Sequence, residues 1–163
     1  MIPLKDSYQI VNRYRQRLPV DVASLAAELG IPVERVPMDN AISGKLTNHG
    51  DRMSISVNSR HSRTRQRFTI AHEIGHAILH NYLIGEGITD NAAYRANGVA
   101  GNPNIGPREE TEANKFASSL LMPAEAIIEL QNQELNREQM AQALDVSPSA
   151  LDVRLSATQR RRE

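Results

Sequence analysis

The segment His72-Glu73-Ile74-Gly75-His76 sets two imidazoles four residues apart, with a carboxylate beside the first. On an α-helix, positions i and i+4 are neighbours on one face, so both rings can converge on a single cation. Glu73 lies about 100° round the helix from His72, close enough to reach a metal-bound water without becoming a ligand. Bound zinc lowers the pKa of its water to about 7, and a neighbouring carboxylate can then take the proton. Residue types and spacing therefore point to metal-assisted hydrolysis, with His72 and His76 on the metal and Glu73 as general base. In a chain with 5 His, chance produces this pattern about once in 100 shuffles. Two satisfied core histidines beside a surface glutamate would be the bland alternative. Placed inside a buried helix, however, such groups are expensive unless they have work to do.

The helix that must carry the motif runs from Ser59 or Ser62 to about His80, and its second half, FTIAHEIGHAIL, is apolar nearly all round. Gly75 costs about 1 kcal/mol in a helix interior relative to Ala, which another element approaching closely on that side would explain. Upstream, residues 5–17 read as a basic amphipathic helix, and Asp21 caps a second helix stopped by Gly30. Pro32–Pro37, Ile42–Thr47 and Met53–Val57 read as strands, the last two joined by a turn at Asn48-His49-Gly50-Asp51. Downstream of the motif, residues 81–108 lose periodicity; helices then follow at about 108–121 and 124–134. Residues 137–156 give two short helices around Asp145-Val146-Ser147, and the arginine-rich end, 160–163, is expected to fray.

A catalytic zinc usually takes three protein ligands and a water, so one ligand remains to be found. The helix at 108–121 offers Glu109, Glu110 and Glu112, with an apolar stripe of Ala113, Phe116, Ala117, Leu120 and Leu121. Glu109 and Glu110 lie roughly 40–60° from the centre of that stripe and Glu112 about 100° away. Periodicity thus disfavours Glu112 and leaves the other two open.

Arg67-Phe68-Thr69-Ile70-Ala71 leads directly into the histidine motif. Glu110-x-Glu112-Ala113-Asn114-x-Phe116-Ala117 is followed by Leu120-Leu121-Met122-Pro123. Together these segments resemble the ImmA/IrrE family of bacterial metallopeptidases, from about Leu18 to Leu155. The resemblance implies an α+β fold: a helical zincin-like core, a small antiparallel sheet of about three strands, and a C-terminal helix-turn-helix-like segment. It implies Glu110 as the third ligand and Asn114 as a residue that orients a ligand histidine. It also implies a zinc-dependent endopeptidase whose partner and substrate is a helix-turn-helix transcriptional repressor, cut in a stress or mobile-element response. Manganese or iron(II) would suit the same donors.

Length and composition agree with a single domain. It divides into helices and sheet over about 1–58, the metal-binding core over 59–134, and the C-terminal segment with its basic tail over 135–163. Lys and Arg number 19, as do Asp and Glu, so net charge points to neither nucleic acid nor membrane. Residues 68–135 hold 9 acidic against 3 basic side chains, which suits a region binding a cation. No cysteine is present, which removes disulfides, thiolate metal sites and a thiol nucleophile. With neither a signal-peptide core nor a spanning apolar run, the chain reads as cytoplasmic.

Several residues carry competing readings. A helix rise of about 1.5 Å per residue puts His80 about 6 Å beyond His76, too far to share one tetrahedral site. His49 and His61 read as polar surface residues; either, or Tyr82, Tyr94 or an arginine, could stabilise the oxyanion of a tetrahedral intermediate. Arg60, Arg63, Arg65 and Arg67 read as the solvated first half of the metal helix. In the C-terminal segment, Arg154 and Asp152 are poor equipment for reading a DNA groove, and Leu151, Val153 and Leu155 are expected to be buried. Direct DNA binding is therefore disfavoured. Residues 81–108 are either a cover over the cleft, with Ile84, Ile88, Tyr94 and Val99 meeting substrate, or a passive surface insertion. Two rival functions follow: a regulatory or toxin–antitoxin binding module on the same fold with little turnover, and a DNA-binding regulator. The intact motif argues against the first, and the neutral charge against the second.

Overall fold

The computed structural model describes residues 4–85, 87–91 and 104–159. Two helices open the chain, α1 (Leu4–Tyr14) and α2 (Val22–Glu28). The Asp21 carboxylate accepts from Ser24 N at 3.0 Å, satisfying a donor that the first turn of α2 would otherwise leave unpaired. Three strands follow: β1 (Val33–Val36), β2 (Ile42–Asn48) and β3 (Met53–Asn58). In β3, Met53, Ile55 and Val57 are buried while Ser54 and Ser56 are half-buried, the period of two that a one-sided sheet imposes.

The sheet differs from the expectation in two respects. A fourth strand, β4 (Gly87–Asn91), joins it, giving the order β1-β3-β2-β4. Moreover, β1 pairs parallel to β3, whereas β2 is antiparallel to both β3 and β4. Local alternation finds strands but carries no information about which neighbours they choose. The turn between β2 and β3 lies where expected, with Gly50 at φ +91, a backbone state that favours glycine.

Helix α3 (Arg63–Leu79) lies against β2 and β3 and is buried at every residue from Thr69 to Ile78. Its neighbour α4 (Pro107–Leu121) begins with Pro at its first position, and Glu109 Oε2 accepts from Gly106 N at 2.9 Å. Two close approaches fix these layers. A Cβ on Gly44 of β2 would sit 2.5 Å from Thr69 Cγ2 of α3, so the sheet meets the helix here only because the residue has no side chain. A Cβ on Gly75 would lie 3.1 Å from Phe116 Cδ1 and 3.3 Å from Ala113 Cα of α4, the crowding its mid-helix position suggested.

After α4 come α5 (Ala124–Asn132), α6 (Arg137–Leu144) and α7 (Pro148–Gln159). Asp145 ends α6 in a left-handed conformation at φ 52. The α6–α7 pair docks on the core through polar contacts. Arg63 Nη2 meets Asp145 Oδ2 at 2.8 Å, Arg67 Nε donates to Asp145 O at 3.0 Å, and Arg154 Nε donates to Met122 O at 3.1 Å. Arg67 is therefore buried and engaged rather than solvated. Leu151 is buried as expected, but Val153 is 70% exposed, because α7 offers the core a narrower face than its apolar residues suggest. Among the described residues no helix is long and apolar enough to cross a membrane.

Within 81–108, the described residues 81–85, 87–91 and 104–108 are more structured than their composition suggests. Residues Asn81–Leu83 form a 3-10 turn, and Gly87–Asn91 is β4. Ile84 is fully buried and Ile105 nearly so; both belong to the core, and Ile84 is not available to cover a substrate. Tyr94 and Val99, like residues 160–163, lie outside the described residues.

Candidate metal centre

One turn apart on α3, His72 and His76 present their Nε2 atoms to each other at 3.0 Å, with the ring planes at 80°. From α4, Glu110 reaches into the same space. Its Oε2 stands 3.4 Å from His72 Nε2 and its Oε1 3.4 Å from His76 Nε2. The three donor atoms lie within 4.8 Å of one another, and both histidines are buried. Glu109, the alternative that periodicity left open, is occupied instead in capping the start of α4.

The donor set fits a tetrahedral divalent metal. With bonds of 2.0–2.1 Å to nitrogen and oxygen, neighbouring ligand atoms on a tetrahedron are about 3.3 Å apart. The two histidine–carboxylate separations of 3.4 Å match that spacing, and the histidine pair is slightly tighter. Glu110 Oε2 is buried without a hydrogen-bond partner, a costly state for a carboxylate oxygen unless a cation meets it.

Electrostatics favour the same protonation pattern. Burial pushes the His76 imidazole below the ordinary histidine value, and the pull of Glu110 in the other direction does not cancel it. Burial also raises the Glu110 carboxyl, but the facing imidazoles of His72 and His76 more than offset this and hold it well below the usual carboxylate range. A neutral imidazole and an ionised carboxylate are the ligand forms a metal requires.

Each histidine is also held from behind. His72 Nδ1 lies 2.9 Å from Asn114 Oδ1, which directs the Nδ1 proton at the amide oxygen and turns the Nε2 lone pair towards Glu110. His76 Nδ1 lies 3.0 Å from His80 Nδ1, and His80 Nε2 lies 2.9 Å from Glu112 Oε2. His80 and Glu112 thus sit beside the cluster but outside its donor set. Sequence reasoning weighed both as ligands and missed this supporting role. The continuing i+4 series His72, His76, His80 was the available signal.

Glu73 is fully buried on the sheet side of α3, where a Cβ on Gly44 would come within 3.8 Å of its Oε1. The oxyanion candidates fall into different places. His61 is buried rather than on the surface, its Nε2 3.0 Å from Asn40 O. His49 bonds Ser54 Oγ at 2.8 Å in the β2–β3 turn, and Tyr82 is 76% exposed.

Fold and cluster together define a class: an α+β protein with a His-His-Glu group, able to bind a metal, between two central helices. The model of the peptidase family described as IrrE N-terminal-like domain matches residues 26–156, and the chain belongs to that family. No curated protein matches the chain. Among solved structures, a Mycobacterium tuberculosis transcriptional regulator is similar, with a TM-score of 0.62 and 16% identity over 92% of this chain. The chain spans 46% of that protein's length, and at this identity the likeness is one of fold.

Proposed function

We propose that the protein is a zinc-dependent endopeptidase in which His72, His76 and Glu110 hold the metal and Glu73 is the general base. The observation that carries this reading is the convergence of two Nε2 atoms and one carboxylate, 3.0–3.4 Å apart, in a buried cluster between α3 and α4. When bound, the metal would supply Lewis-acid polarisation of the scissile carbonyl and an acidified water. Glu73, one residue after the first ligand, accepts the proton of the attacking water at a carboxylate oxygen and returns it to the leaving amine. Its burial keeps competing solvent away and strengthens its interaction with nearby charge. Asn114 fixes the orientation of His72 throughout.

A helix-turn-helix transcriptional repressor is the substrate class we favour, on the family resemblance carried by Glu110–Pro123. The docking of α7, with Arg154 turned inwards onto Met122 O, speaks against this chain reading DNA itself. Incubating parent protein and Glu73→Gln with the repressor encoded beside its gene, with and without chelator, tests the reading by mass spectrometry. Chelator-sensitive cleavage by the parent and none by Glu73→Gln is expected. Equal cleavage by both proteins would remove the general-base role, and tight binding of the repressor by both without cleavage would favour a binding module.

A further inference from the structure

We infer that His80 and Glu112 form a positioning relay that fixes the tautomer and ring orientation of His76; the inference rests on the metal reading above. His80 is 2% exposed, so its ring nitrogens must find partners inside the protein. Its Nε2 stands 2.9 Å from Glu112 Oε2, and an ionised carboxylate can only accept. His80 Nε2 therefore donates, and when the ring carries that single proton its Nδ1 is an acceptor. The atom facing it at 3.0 Å is His76 Nδ1, which must then be the donor. One proton on each ring, passed along in this order, leaves His76 Nε2 bare and aimed at Glu110 and His72. Arg108 Nε donates to the other Glu112 oxygen at 2.9 Å and steadies the outer end of the chain.

The two histidine ligands are thus supported unequally. His72 leans on a neutral amide, whereas His76 leans on an imidazole backed by a carboxylate. A chain of hydrogen bonds ending in a full charge polarises each member, and here it holds the His76 ring from behind. The outer link is long-range: His76 and His80 are one turn apart, but His80 meets Glu112 across 32 residues of sequence. The relay therefore also ties the end of α3 to the helix that brings Glu110.

Two measurements test this. Long-range 1H–15N correlation spectra of the metal-free protein report which nitrogen of His76 carries the proton. The parent should show it on Nδ1, and His80→Phe should move it to Nε2 or mix the two forms. Metal affinity, measured by competition with a chromogenic chelator, should weaken about 10–100-fold in His80→Phe. Glu112→Gln, at a partly exposed site that tolerates change, should weaken it by a smaller factor. A packing role alone would lower the unfolding temperature of the metal-free variants but leave tautomer and affinity unchanged. That result, or an Nε2 proton on His76 in the parent, would overturn the relay. Failure of the parent to bind metal would instead sink the metallopeptidase reading, and the tautomer spectra would still decide the relay.

Discussion

Gly75 of α3 and Phe116 of α4 meet so closely that a methyl group on the glycine would lie 3.1 Å from the ring. This contact sets the distance between the helix that carries His72 and His76 and the helix that carries Glu110. A glycine that costs its own helix about 1 kcal/mol is kept where the adjoining helix must come near. Gly75→Val should push α4 away and reduce metal affinity by about tenfold or more, with Gly75→Ala intermediate. Chelator competition measures this, and parent-like affinity in Gly75→Val would show that the contact does not set the site.

Asn114 supports the other histidine of the cluster, His72. Removing the amide in Asn114→Ala should free the His72 ring and weaken metal binding about 10–100-fold. Because Asn114 is only half-buried, the unfolding temperature of the metal-free protein should move little. A large fall in that temperature with unchanged affinity would make Asn114 a packing residue instead.

How far these residues were legible in the sequence depended on how local their geometry is. His72 and His76 could be read directly, because helical periodicity alone puts i and i+4 on one face. The choice between Glu109 and Glu110 was not local: the same helix face carries both, and the approach of α3, which sets His72 and His76 each 3.4 Å from a Glu110 oxygen, separates them. Periodicity could assign Ile84 only to a featureless stretch. Its burial depends on the chain returning to the sheet as β4, a pairing set by residues more than thirty positions away. His61 and Arg67 were misread for a related reason, since polarity marks the surface until a partner such as Asn40 O or Asp145 is brought to it.

The docking of the C-terminal pair depends on charge. Arg67 has a side chain only 10% exposed, and Asp145 Oδ2 lies 3.2 Å from its Nε. Burial lowers the pKa of this guanidinium, which Asp145 then counters. Asp145→Asn keeps the left-handed cap but removes the charge, and should cost about 1–3 kcal/mol of stability. Urea unfolding of the two proteins checks this; an unchanged midpoint would mean that the Asp145 charge does not help to hold α6 and α7 in place.

Every role proposed above depends on one metal ion being held by His72, His76 and Glu110, with Glu73 outside its ligands. Elemental analysis of protein purified without added chelator tests it most directly. One divalent metal per chain is expected in the parent and in Glu73→Gln, with loss of metal in His72→Ala and Glu110→Gln. Full occupancy in Glu110→Gln, or loss of the metal in Glu73→Gln, would contradict it.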